Sequence, residues 1–132
     1  MPIPVAPQYE RSVLATLLTW WEFVPIAMPQ LSEDHFHTPW HKDVFAAIVD
    51  LHQQGKEIDL ISAEVWLREN RKWDDGQIAN MVELTPDAVT PDKAEEHIKE
   101  LADRRTKRDM LPPLKNLVLD IENTGKSATE HL

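Results

Sequence analysis

The stretch from His37 to Gly55, "HTPWHKDVFAAIVDLHQQG", decides the fold. Thr38-Pro39 opens a helix: threonine takes the cap, and proline takes the first helical position, where its missing N–H costs nothing. Trp40, Val44, Ile48 and Leu51 then recur at helical spacing, with Phe45 beside them. Gly55 is the expected left-handed stop. The same run holds His37 and His41, which with His35 pose a second question. Histidine is the commonest metal ligand among side chains, so the cluster could be a metal centre or part of the scaffold.

Working upstream, "MPIPVAPQ" reads as an extended arm because of its prolines. From Tyr9 to Trp21 the residues Val13, Leu14, Leu17, Leu18 and Trp21 share one helical face. Pro25 and Pro29 limit the next helix to about Glu22 to Met28. Ser32 is a plausible cap for a single turn reaching Phe36. Downstream, "KEIDLI" is an extended connector, and Ser62 caps a helix to about Asn70. "DDG" at Asp74 to Gly76 turns the chain. Ile78, Met81, Val82 and Leu84 mark a short helix ended before Pro86. Thr90-Pro91 repeats the earlier Thr-Pro opening, and the helix after it carries Ala94, Ile98, Leu101 and Ala102 on its apolar face.

The pattern is all-α, with no strand pair and no repeat. Residues 1–90 form a compact head of about five or six short helices with an extended N-terminal arm. Residues 91–132 form a projecting helical arm, a partial hairpin, broken at Pro112-Pro113 by the cost of interior proline. A piece restarting there is too short to stand alone in water. Its apolar stripe must lie against the head or a neighbouring chain. Leu111, Leu114, Leu117, Val118 and Ile121 are therefore the candidate partner-facing residues.

Composition narrows the function. Asp plus Glu number 23 against 14 Lys plus Arg, a net charge of −9. Such a surface repels phosphate, which argues against direct nucleic-acid binding. The basic cluster "RRTKR", Arg104 to Arg108, reads as a solvated helix face. No apolar run approaches the roughly 20 residues that span a bilayer. The absence of cysteine fits a reducing cytoplasm.

Catalytic motifs fail on inspection. His37 and His41 are four apart, but Thr38-Pro39 starts a helix between them, and no HExxH pattern is present. His41 is expected to bond locally, with His35 and His37 facing solvent. "NTGKS" at Asn123 to Ser127 ends like a P-loop, yet Asp120 stands where its first glycine belongs. No nucleophile–base pair can be assigned. The expectation is no catalytic residue, no cofactor and no metal. The five tryptophans read mainly as core. Trp20 and Trp21 cannot share one helical face, so one of them should reach the rim or a partner.

Three stretches, in order, resemble the amino-terminal domain of DnaB-type replicative DNA helicases. "PQYERSVLATLL" (Pro7 to Leu18) matches the family opening at Glu10, Val13, Leu14, Leu17 and Leu18, with Ala15 in place of glycine. "HFHTPWHKDVFAAIVDLHQQGKEIDLISA" (His35 to Ala63) matches at Phe36, His41, Phe45, Ile48, Gly55, Ile58, Asp59 and Leu60. Val44 replaces an isoleucine. "LTPDAVTPDKAEEHIKEL" (Leu84 to Leu101) matches the Thr-Pro turn and the helix after it. The resemblance runs from Pro7 to about Ile121.

It implies an all-α head followed by a helical hairpin, and structural roles for His41, Phe36, Phe45 and Asp59. It also implies a non-catalytic domain of an ATP-dependent helicase whose motor lies elsewhere. Implied partners are other copies of itself (dimers, and a ring of dimers in the full-length parent), the primase carboxy-terminal domain and a helicase loader. The chain departs from the family at Pro112-Pro113, inside the first hairpin helix, and in ending where the second would begin. That is expected of an excised piece or a natural short relative. Two rival readings are a free-standing phage or plasmid adaptor that mimics the helicase collar, and a small His-metal hydrolase.

Overall fold

The computed structural model describes residues 7–106. Among them the structure is helical throughout, with no strand. The α-helices are α1 (Pro7–Thr19), α2 (Val24–Ala27), α3 (Pro39–Gln53), α4 (Leu60–Arg71) and α5 (Asp75–Val82), followed by α6 over residues 91–106. Short 3-10 turns join them at Trp21–Phe23, Met28–Gln30, Glu33–His35 and Thr85–Asp87.

α3 is the central helix, packed against both α1 and α4. Its Val44, Ala47 and Ile48 are fully buried, with Phe45 and Leu51 nearly so. They meet Val13, Leu14 and Leu17 of α1 and Ala63 and Leu67 of α4 in one hydrophobic cluster. Burying a Val, Leu or Ile side chain contributes about 1.5–3 kcal/mol, so this seam fixes the arrangement of the helices. Phe36, carried on the turn before α3, lies 4.9 Å from the ring of Phe45.

Helix limits follow from the caps. Gly55 has φ +70, the left-handed stop after α3. α4 begins earlier than Ser62: its cap is Asp59, whose side chain accepts the Ser62 N–H at 2.8 Å. Ser62 Oγ accepts the Asp59 N–H in return at 3.0 Å. Ser62 is thus the third helical residue of a reciprocal capping box. The "DDG" stretch is likewise a helix start. Asp74 accepts the Gln77 N–H and Gln77 returns the bond, leaving Gly76 inside the first turn of α5.

α1 also begins earlier than expected, with Pro7 as its first residue. The rest of the extended arm lies outside the described residues.

The described part of α6 sits on the head. Ala94, Ile98 and Leu101 are buried in the same cluster as α1 and α3. Ser12 Oγ and His97 Nδ1 are 2.7 Å apart, and the Tyr9 and His97 rings are 4.9 Å apart. Thr90 caps this helix, its Oγ1 accepting the Lys93 N–H at 3.3 Å. Thr16 ties the preceding loop to α1 by accepting the Val89 N–H at 3.0 Å. Of the basic cluster, Arg104 lies over the Tyr9 ring and Arg105 is 3.7 Å from Asp34. Lys107 and Arg108 of that cluster, Pro112-Pro113 and "NTGKS" lie outside the described residues.

Candidate functional site

The histidine cluster is a structural joint. Glu10, on α1, is fully buried. Its Oε1 accepts from His41 Nδ1 at 2.8 Å and from the Thr38 N–H at 3.3 Å. Its Oε2 accepts from the His37 N–H at 3.1 Å. Thr38 occupies the cap position of α3, but its own side chain makes no capping bond. Another helix supplies the acceptor at this end: the carboxylate takes the amides of the cap residue and of the residue before it, and lies near the positive end of the helix dipole. Burial alone would raise the Glu10 carboxyl, but the bonds from His41, His37 and Thr38 outweigh it and hold it below its ordinary range.

His41 bonds across helices to Glu10, where a local bond was expected. His35 is buried, against the expectation of a solvent-facing ring, because the 3-10 turn curls it onto its own cap. The Ser32 N–H donates to His35 Nδ1 at 3.0 Å. His37 is exposed. Among the described residues no three His, Asp or Glu side chains converge as metal ligands. Neither Glu10 nor His41 reaches solvent, so the pair can act on a dissolved substrate only after the core opens.

The candidate partner-facing residues Leu111, Leu114, Leu117, Val118 and Ile121 lie outside the described residues. Other apolar side chains are exposed on the head. Trp20 and Trp21 are both exposed, at 44% and 59%. The expectation that only one would be rested on helical geometry, but α1 ends at Thr19 and Trp20 leaves helical backbone at φ −117, ψ 77. Ile61 and Val65, four apart on α4, are exposed at 76% and 51%. Two hollows adjoin Ile61 and Trp21 respectively. One of about 350 Å³ is lined by Ala15, Leu18, Thr19, Leu60, Ile61 and Leu84 among others. The other, about 230 Å³, is lined by Trp21, Pro25, His52, Gly55, Lys56 and Ile58. The remaining tryptophans are held inward. Trp66 Nε1 donates to Asp50 at 2.6 Å, Trp73 Nε1 donates to Asp43 at 3.2 Å, and Trp40 packs on Trp73.

This chain belongs to the family described as "DnaB-like helicase N terminal domain", whose model matches residues 3–103. It is 28% identical over 106 residues to the replicative DNA helicase DnaB of Rhodothermus marinus, covering 80% of this chain and 11% of that protein. It is 31% identical over 87 residues to the replicative DNA helicase DnaB of Nostoc sp. PCC 7120, covering 63% of this chain and 10% of that protein. The chain therefore spans about a tenth of the length of the curated relatives it matches. In fold it is similar to the N-terminal domain of the DnaB helicase from Mycobacterium tuberculosis. That match has a TM-score of 0.80 at 21% identity and covers 89% of this chain and 86% of the other.

No single helix among the described residues is long and apolar enough to cross a membrane. The family match stops at residue 103, short of the apolar stripe.

Proposed function

We propose that this chain is the non-catalytic interaction domain of a replicative DNA helicase, supporting assembly of the helicase ring and docking of primase or a helicase loader. The carrying observation is the family match over residues 3–103, together with the DnaB names of its sequence relatives. The compact head, residues 1–90 with the described part of α6 packed on it, is the platform, and the remainder of residues 91–132 is the contacting arm. Leu111, Leu114, Leu117, Val118 and Ile121 meet other chains by helix-on-helix packing: the apolar stripe buries area, and charges at its rim set register. The domain works in the cytoplasm, takes no cofactor and leaves nucleic acid to other parts of the machinery.

Sedimentation of the chain across a concentration series tests the arm. The expected result is a monomer–dimer equilibrium weaker than about micromolar, abolished by Leu117→Asp. A dimer that survives that substitution, or a strict monomer at millimolar concentration, counts against the stripe as the contacting surface.

A further inference from the structure

We infer that the groove between α3 and α4 seats this chain's own stripe, Leu114, Leu117, Val118 and Ile121, which folds back onto the head until another chain takes it. The stripe's use between chains rests on the proposed function; the groove rests on the described residues.

The groove holds about 710 Å³. One face of α3 lines it with Ala46, Val49, Asp50 and Gln53, spaced i, i+3, i+4 and i+7. α4 contributes Trp66, Asn70 and Arg71, and the turns before α3 contribute Met28, Leu31 and Glu33. Met28, Leu31, Val49 and Trp66 pack on the core but are only partly buried, so they keep apolar surface for an occupant. The charges beside the indole are already engaged. Asp50 accepts from Trp66 Nε1 at 2.6 Å. The Arg71 guanidinium lies 5.4 Å from the Trp66 ring centre and 3.3 Å from Asp43. An occupant there meets apolar edges more than open charge, which suits a stripe of leucine, valine and isoleucine.

Spacing, position and tethering choose the occupant. Leu114, Leu117, Val118 and Ile121 repeat the i, i+3, i+4, i+7 spacing of the α3 row. Each row then runs two helical turns, about 10 Å, so two ridges of equal length can interlock. α6 delivers the chain to the groove. Arg105, in its last turn, is 3.7 Å from Asp34, which shares a 3-10 turn with the groove-lining Glu33. From Thr106 the eight residues to Leu114 reach up to about 27 Å. Lys42 Nζ donates to the Glu33 carbonyl at 3.2 Å, which sets that turn beside the first turns of α3. The stripe therefore enters near Ala46 and runs toward Gln53. So short a tether holds it at about millimolar effective concentration, which a second copy at micromolar concentration cannot match. Partners must compete with the groove, and self-association is weak for that reason.

Disulfide trapping in the full chain tests the proposal, because the chain has no cysteine of its own. Gln53→Cys, exposed at the far end of the groove, is paired with Glu122→Cys, next to the stripe but not part of it. The control pairs Glu122→Cys with Val82→Cys, exposed on α5 and outside the groove. Unchanged melting temperatures of the reduced variants will show the fold intact. Under mild oxidation the groove pair should close within one chain about tenfold faster than the control. Dilution should not change its rate, and Leu117→Asp should slow it about tenfold.

Equal rates for the two pairs overturn the proposal, as does a groove pair indifferent to Leu117→Asp. A disulfide between two chains assigns the groove to a second copy and also overturns it. If the groove pair closes but the stripe binds no other chain, the groove stands and the proposed function fails. If the stripe binds other chains but the groove pair stays open, the function stands and the groove fails.

Discussion

His41 Nδ1 stands 2.8 Å from Glu10 Oε1, and both side chains are shut off from solvent. The contact joins α1 to the first turn of α3. Its amide bonds tie the same carboxylate to the cap residue of the fold's central helix and to the residue before it.

Breaking this joint from one side should be far more damaging than its hydrogen bonds alone indicate. Glu10→Ala leaves His41 and two amides without an acceptor; His41→Ala leaves a buried carboxylate short of one donor. Each should lower unfolding stability by about 3–5 kcal/mol, the usual result of stranding one partner of a buried pair. Urea denaturation measures this. The double variant should lose much less than the sum of the singles. Metal analysis of the wild type and His41→Ala should find no stoichiometric zinc in either.

The joint also sets a pH dependence. The Glu10 carboxyl is held below its ordinary value in the folded state. Its contribution is therefore fully present above the unfolded carboxylate range, roughly pH 4.3, and lost as pH falls through the lowered folded value. Melting temperatures should fall steeply on that acid limb in the wild type and less steeply in Glu10→Gln. His97 acts in the same sense nearer neutrality. Burial, aided by Lys93, pushes its ring below the ordinary histidine value. That part of the stability is present above about pH 6.5 and is lost as pH falls. His97→Gln should remove this upper step and leave the lower one.

Two backbone positions give opposite expectations. Gly55 has φ +70, and a Cβ added there would meet nothing within 4 Å. Gly55→Ala should therefore cost about 1 kcal/mol through backbone strain alone. Lys72, after α4, sits in the left-handed region at φ 57 without being glycine. Lys72→Gly should raise stability by a few tenths to about 1 kcal/mol. Thermal unfolding of the two variants checks both signs.

Nucleotide should not bind. "GKS" at Gly125 to Ser127 is preceded by Asp120 where a P-loop needs glycine, and the carboxylate adds charge where phosphate would sit. A fluorescent ATP analogue should show no saturable binding. Saturable binding lost in Lys126→Ala would contradict this.

The helices were legible because apolar spacing is a local property. Val13, Leu14, Leu17 and Leu18 announce α1, and Val44, Ile48 and Leu51 announce α3; all of them are buried. Caps were less legible. Asp59 and Ser62 are both good capping residues, and only the reciprocal bonds decide which one starts α4. Gly76 looked like a turn because glycine usually marks one, but Asp74 and Gln77 hold it in the first turn of a helix. The carboxylate of Glu10 reaches amides 27 and 28 positions away, a relation that no local pattern encodes. The exposed Trp20-Trp21 face depended on where α1 stops, which a face argument on a continuous helix cannot supply.

The domain is proposed to act by binding replication proteins. The most direct test is the native mass of the full chain mixed with the carboxy-terminal domain of its cognate primase, by size-exclusion chromatography with light scattering. A discrete complex of higher mass than either component is expected, lost in Leu117→Asp while the melting temperature of the head is unchanged. Two unaltered component masses at concentrations of about 100 μM, where a weak complex should still form, would contradict it.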